Sequence, residues 1–337
     1  MRIADADLSE RVLIVAEIGN NHEGNYALAE EMIGRAAEAG VDAVKFQTFR
    51  TEHYVSRRDD ARFERLKSFE LTHSEFTKLA VVARQEGVIF LSTPFDLESV
   101  RFLDGLVPAF KIASGDNTFY PLLDAVARTG KPIMLSTGLA DTTQIRQAKA
   151  VIETAWAEKG VDPGLALLHC VSSYPVPPAQ ANLASIGQLR AEFDCTIGYS
   201  DHTLGIEACR VAASLGARII EKHFTLDKNH SQFRDHQLSA DPGEMADVVQ
   251  AVRQTETLLG SGEKCPQECE HSAERTMRRS IAAARDLACG AIITWEDITW
   301  VRPGGGLPPG KEHVILGRKL AKPVRGGDRI TLESVQE

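Results

Sequence analysis

Between Val12 and Leu259 the chain alternates short apolar runs with longer stretches of helical periodicity. The runs at 12–18, 42–47, 88–94, 109–114, 132–137, 165–170, 196–202 and 217–224 read as buried strands, rich in branched apolar residues and bounded by turn formers. Segments 26–39, 72–85, 96–103, 120–128, 142–157, 183–193, 205–215 and 245–259 read as helices. In the first of them Leu28, Met32, Ile33 and Ala36 share one face, and Gly40 is a natural stop. Residues 48–71 are charged and read as an excursion over one end of the strands.

Eight strand–helix units in about 260 residues predict an α/β fold, a (β/α)8 TIM barrel. A doubly wound open sheet is the runner-up. It is disfavoured because no glycine-rich phosphate turn follows the first strand and because polar residues end nearly every strand. Glu17, Lys45, Gln47, Thr93, Lys111, Ser136, His202 and His223 fall at or near C-terminal strand ends, which in a barrel form one rim. Side chains alternate along a strand, so Glu221 and His223 point the same way.

The pattern changes after Leu259. Residues 261–277 are polar and read as a linker between a catalytic domain at 1–260 and a small domain at 278–337. The small domain contains a repeat: Leu287, Gly290, Ile293, Thr294, Glu296 and Ile298 recur in spacing as Val324, Gly327, Ile330, Thr331, Glu333 and Val335. Each copy predicts a strand, a glycine turn, a second short strand and a helical start. Between the copies Arg302 sits on a stiff Pro-Gly loop.

Composition narrows the partners. A net charge of -9 argues against nucleic acid and against an anionic membrane surface. The acidic N-terminus does not read as a signal peptide, and no apolar run approaches membrane-spanning length. Six cysteines without paired metal spacing predict reduced thiols and a cytoplasmic protein.

The rim residues carry the chemistry. Lys45 and Lys111, with Thr93, Ser114 and Ser136, suit a small phosphorylated or carboxylated anion. His202 and His223 end successive strands, and the residues alone leave two readings open: a shared metal ion that polarises a carbonyl, or hydrogen-bonded histidines in a polar pocket. Glu17, Glu221 and Asp235 are candidate proton carriers. An anion site beside a polarised carbonyl suggests carbon–carbon bond formation from an anionic donor.

The wording of the motifs goes further. Ala16-Glu17-Ile18-Gly19-Asn20-Asn21-His22-Glu23-Gly24, Val44-Lys45-Phe46-Gln47, Ser92-Thr93-Pro94-Phe95, Lys111-Ile112-Ala113-Ser114-Gly115, Ser200-Asp201-His202-Thr203 and Glu221-Lys222-His223-Phe224 occur in one order along nearly the whole chain. In these the sequence resembles the sialic acid synthase family, phosphoenolpyruvate-dependent synthases of nonulosonic acids. The small domain is similar to their antifreeze-like (SAF) domain. The resemblance implies phosphoenolpyruvate on Lys45, Gln47, Thr93, Lys111, Ser114, Ser136 and Tyr174, and a divalent ion (Mn2+ first, Mg2+ or Co2+ otherwise) on His202 and His223. It implies that Glu17 guides water, with Glu221 and Asp235 as further acid/base groups, and that Phe95 shapes the acceptor pocket. It also implies a domain-swapped homodimer in which Arg302 reaches the neighbour's sugar site. Ser172 stands where these synthases usually carry asparagine, Asp116 where many carry glutamate, and Phe233-Arg234-Asp235-His236 replaces a more usual Gly-Pro-Asp. The acceptor is therefore expected to be N-acetylmannosamine or a 2,4-diacetamido sugar. Two alternatives stand beside this: another phosphoenolpyruvate aldol synthase of the 3-deoxy-octulosonate phosphate type, and a non-catalytic sugar-binding protein.

Overall fold

Eight parallel strands run Leu13–Gly19 (β1), Ala43–Thr48 (β2), Ile89–Pro94 (β3), Phe110–Ile112 (β4), Ile133–Ser136 (β5), Leu165–Cys170 (β6), Thr196–Asp201 (β7) and Ile219–His223 (β8). These come from a computed structural model that describes residues 1–336. The hydrogen-bonded order is β3-β2-β1-β8-β7-β6-β5-β4, and the terminal pair, β3 and β4, lie side by side, so the sheet curls into a barrel. β8 pairs with β1 in a register that sets Glu221 beside Val15 and His223 beside Glu17.

The sheet separates two apolar layers. Ile14, Ala16, Val44, Phe46, Ile112, Leu135 and Ile220 pack outward against the helices. Leu13, Val15, Ala43, Leu91, Ala109, Met134, Ala166 and Ile219 pack inside the barrel. The period of two carries each inward row from apolar to polar: Leu13, Val15, Glu17; Ala43, Lys45, Gln47; Met134, Ser136; Ile219, Glu221, His223. In β7 the inward row includes Gly198, where a Cβ would stand 2.9 Å from that of Ile219 and 3.0 Å from Leu168 Cγ. A larger residue there would overfill the barrel.

Four features depart from the expected elements. A short N-terminal hairpin, Arg2–Ile3 with Ala6–Asp7, sends Ile3 and Leu8 into the inner core, at the end of the barrel opposite the polar row. Residues 48–71 hold two helices, Thr51–Tyr54 and Asp60–Phe69, whose Leu66 and Phe69 pack with Phe49 and Phe95. The strand expected over 109–114 stops at Ile112, and Ser114–Asp116 forms a single 3-10 turn. A five-residue helix, Arg234–Leu238, follows β8. Among the described residues no helix is long and apolar enough to cross a membrane.

The chain divides into two compact units, Met1–Gly260 and a second beginning at Ser261. Within the second unit the expected linker carries a helix, His271–Met277, and Arg275 O accepts a 2.7 Å bond from Gly304 N. Ser280–Ala283 pairs antiparallel with Ile298–Val301. The repeat is structural: its first positions, Leu287 and Val324, bridge each other, and each copy ends in a 3-10 turn, Trp295–Asp297 or Leu332–Ser334, rather than a longer helix.

Candidate active site

The inward polar row gathers four charges at the C-terminal end of the barrel. Lys45 Nζ lies 2.6 Å from Glu17 Oε2 and 3.8 Å from Glu221 Oε2. Lys111 Nζ lies 3.6 Å from Glu221 Oε1. All four side chains are buried. Hydroxyls and amides complete the shell: Lys45 donates to Thr93 Oγ1 at 3.1 Å, Lys111 to Ser136 Oγ at 2.7 Å, Ser200 to Glu221 Oε1 at 3.0 Å and Gln47 to Glu17 Oε1 at 3.1 Å.

The environment drives the two carboxyls apart. Burial pushes Glu17 up, and its neighbour Glu221 adds to that against the pull of Lys45. Burial works on Glu221 too, but the charges of Lys111 and Lys45 and the Ser200 hydroxyl outweigh it and hold that carboxyl low. Burial lowers Lys111, while in Lys45 it is overcome by Glu17 and Glu221, which raise it. Two carboxyls held apart in this way suit one proton carrier and one fixed anion.

Beside this cluster stand the two histidines. Their ring centroids are 5.3 Å apart, and Tyr174 packs 4.1 Å from His202 and 6.0 Å from His223. His202 Nδ1 is 2.8 Å from Val171 O. A carbonyl only accepts, so Nδ1 carries the proton and Nε2 keeps its lone pair. His223 Nδ1 is buried without a hydrogen-bond partner among the described residues. Two imidazoles with free ring nitrogens fit a divalent ion. Arg234 lies 4.5 Å over the Tyr174 ring and 3.2 Å from Asp235 Oδ1.

The third wall is aromatic. Phe95 stacks on Tyr54 at 4.5 Å and shares a cluster with Phe49, Phe69 and Phe233. Asp116 enters here with a buried Oδ2 that has no hydrogen-bond partner among the described residues, and burial lifts its carboxyl to about 6 against the nearby charge of Lys111. Ser114 Oγ accepts from Gly138 N at 3.1 Å, and Ser172 Oγ is buried with no hydrogen-bond partner among the described residues. A Cβ on Gly138 would come within 2.5 Å of Ser172 Oγ and 2.6 Å of Ser114 Oγ, so glycine keeps both hydroxyls at the site.

The barrel unit thus brings together Glu17, Lys45, Gln47, Thr93, Lys111, Ser136 and Glu221 in one network, with His202, His223, Tyr174 and Asp235 alongside. Arg302 is exposed on the second unit. Four neighbours escaped the sequence reading, one of them Ser200 on Glu221. Asn20 donates to Gln47 Oε1 at 2.7 Å, Asn117 donates to Gly138 O at 2.9 Å, and Cys170 Sγ lies 3.7 Å from His202 Nδ1. Cys170 and Ser200 are the ones with a signal, since they lie at or near strand ends as the other rim residues do.

Fold and site together define a (β/α)8 barrel with buried lysines and carboxyls at its C-terminal rim, followed by a second, smaller unit. The chain matches the NeuB family over residues 32–264 and the SAF domain over 278–336. It is 39% identical to N,N'-diacetyllegionaminic acid synthase of Legionella pneumophila, over 96% of this chain and 94% of that protein. It is 34% identical to pseudaminic acid synthase of Campylobacter jejuni, over 98% of each. The crystal structure of an N-acetylneuraminic acid synthetase from Leptospira borgpetersenii superposes with a TM-score of 0.73 at 37% identity, covering 78% of this chain and 90% of that one. This chain belongs to the NeuB family of nonulosonic acid synthases.

Proposed function

We propose that the barrel condenses phosphoenolpyruvate with the open-chain form of an N-acylated amino-hexose, giving a nonulosonic acid and phosphate. The observation that carries this reading is the buried lysine pair, Lys45 and Lys111, balanced on Glu17 and Glu221 beside two imidazoles with free nitrogens. Relatives matched over nearly their whole length do not favour the 3-deoxy-octulosonate phosphate type or a non-catalytic sugar binder.

In this reading Lys45, Lys111, Gln47, Thr93, Ser114, Ser136, Ser172 and Tyr174 hold the phosphate and carboxylate of phosphoenolpyruvate. A divalent ion held by His202 and His223, with Mn2+ the first candidate, would supply Lewis acidity toward the aldehyde. The enol electron pair forms the bond from C3 to the aldehyde carbon, whose oxygen takes a proton. Water then adds at C2, and the tetrahedral intermediate breaks its C2–O bond to expel phosphate. Glu17, raised by burial, takes the proton of that water. Asp235 and Glu221 are the further acid/base candidates, and Glu221 also holds both lysines in place. Phe95 and Asp116 shape the acceptor side. The resemblance further supports a homodimer in which each chain's Arg302 serves its partner's acceptor site.

The test mixes protein and phosphoenolpyruvate with N-acetylmannosamine or a 2,4-diacetamido-hexose, before and after chelation. Phosphate release with one of them, a product with the mass of phosphoenolpyruvate, sugar and one water less phosphoric acid, and loss on chelation with recovery on Mn2+ are expected. Turnover with a phosphorylated pentose alone would overturn the reading.

A further inference from the structure

We propose that Glu23, His230 and His236 form a second metal site, distinct from His202 and His223, for a borderline transition ion of the Zn2+ type. One ligand atom from each residue lies within 4.8 Å of the other two. His236 is buried, and its Nε2 stands 3.1 Å from Glu23 Oε1. The rings of His230 and His236 are 5.1 Å apart.

The hydrogen bonds around His236 aim it at an ion. Its Nδ1 is 2.7 Å from Thr225 Oγ1, and that hydroxyl is also 3.1 Å from Asp227 O. The carbonyl only accepts, so it takes the single hydroxyl proton, and Oγ1 accepts from Nδ1–H. In the neutral ring Nε2 then turns a lone pair toward a carboxylate oxygen. Two acceptors at that distance repel unless a metal ion or a proton sits between them. Thr225 is thus the outer partner that metal-binding histidines commonly have. Glu23 holds φ at +46°, a region that non-glycine residues seldom adopt, in the turn where Asn20 O accepts from Glu23 N.

Two imidazoles and one carboxylate suit Zn2+ with one position open, and suit Mg2+ or Ca2+ poorly. His230 is exposed, which gives an ion its way in. Such an ion would fasten the segment carrying Phe233, Arg234 and Asp235 to the loop after β1, and so position the residues beside Tyr174.

The test separates this site from the proposed catalytic ion. Protein with His202→Ala and His223→Ala is titrated with Co2+, followed by visible absorption, and then with Zn2+. One Co2+ per chain with a tetrahedral spectrum, displaced by Zn2+, is expected. Adding Thr225→Val should weaken binding by about 10–100-fold, and adding His230→Ala at least as much. Elemental analysis with His202 and His223 intact gives a second measure: after Zn2+ loading, the single variant His230→Ala should hold one ion fewer per chain than the unsubstituted protein. Absence of a Co2+ spectrum, or equal metal content with and without His230, would overturn the site and mean that a proton alone bridges His236 and Glu23. Neither result bears on the ion assigned to His202 and His223.

Discussion

Lys45 and Lys111 each face a carboxylate in a dry setting, where removing one partner of a charge pair costs about 3–5 kcal/mol. Lys45→Met and Lys111→Met keep the apolar stem and delete the charge. Each should lower kcat/KM for phosphoenolpyruvate by roughly two to three decades, read from phosphate release across phosphoenolpyruvate concentrations. Unchanged kinetics in both variants would remove the anion site. Asp116 makes a different prediction. Its carboxyl titrates near 6 in the fold, above its unfolded value, so its charge opposes folding at neutral pH. Asp116→Asn should stabilise the chain at pH 7 by about 1–2 kcal/mol, discounted because the group is only partly buried. The gain should shrink as pH falls from about 6 to 4 and vanish below. Urea unfolding at both ends of that window checks the sign, and a gain independent of pH would contradict the burial argument.

At the scale of the element, β8 has two chemical faces. Glu221 and His223 point into the barrel, while Lys222 points outward, buried, 2.7 Å from Asp201 of β7. Asp201 also accepts from Tyr199 and Thr203 N, and Lys222 donates to Thr203 O at 2.9 Å. This pair ties β8, which ends in His223, from behind to β7, which His202 follows. Lys222→Met should destabilise by about 3–5 kcal/mol by leaving Asp201 uncompensated, and adding Asp201→Asn should recover part of that. Denaturation midpoints equal to those of the unsubstituted chain would show that the pair is idle. The barrel strands were legible because apolar runs ended in ionisable residues at a constant phase. The hairpin at 2–7 was not, because two-residue strands leave no period to read. The helix at 234–238 was hidden by its shortness. Lys222 is not legible because its charge sits in a strand whose polar end Glu221 and His223 already explain. The network itself, in which Glu221 touches both lysines, joins six strands spread along the sequence, and no local pattern encodes that.

For the whole molecule the proposal to test is that Arg302 completes a neighbouring chain's acceptor site. The second unit has its own small core around Ile281, Ile293, Ile315 and Ile330, and Arg302 is exposed on it. A closed two-fold dimer is the symmetric way to exchange such a unit. Arg302→Ala should then lose activity through the acceptor sugar and keep phosphoenolpyruvate binding. Mixing inactive Arg302→Ala with inactive His223→Ala under subunit exchange should restore activity, because one barrel in the heterodimer regains both groups. Proven heterodimers with no recovered turnover would place the arginine in its own chain's site or in none.

The four buried charges of the rim also set a proton balance. Glu17 and Glu221 cancel Lys45 and Lys111, so the cluster can be neutral before any ligand arrives. A multiply charged anion entering it must bring compensation, and Glu17, already raised, is the group nearest to accepting a proton. Binding of phosphoenolpyruvate should therefore draw protons from solution, more of them in chelated protein than with Mn2+ present. Calorimetry in two buffers of different ionisation enthalpy reads that uptake directly. Identical heats in both buffers would mean that the anion enters without moving a proton.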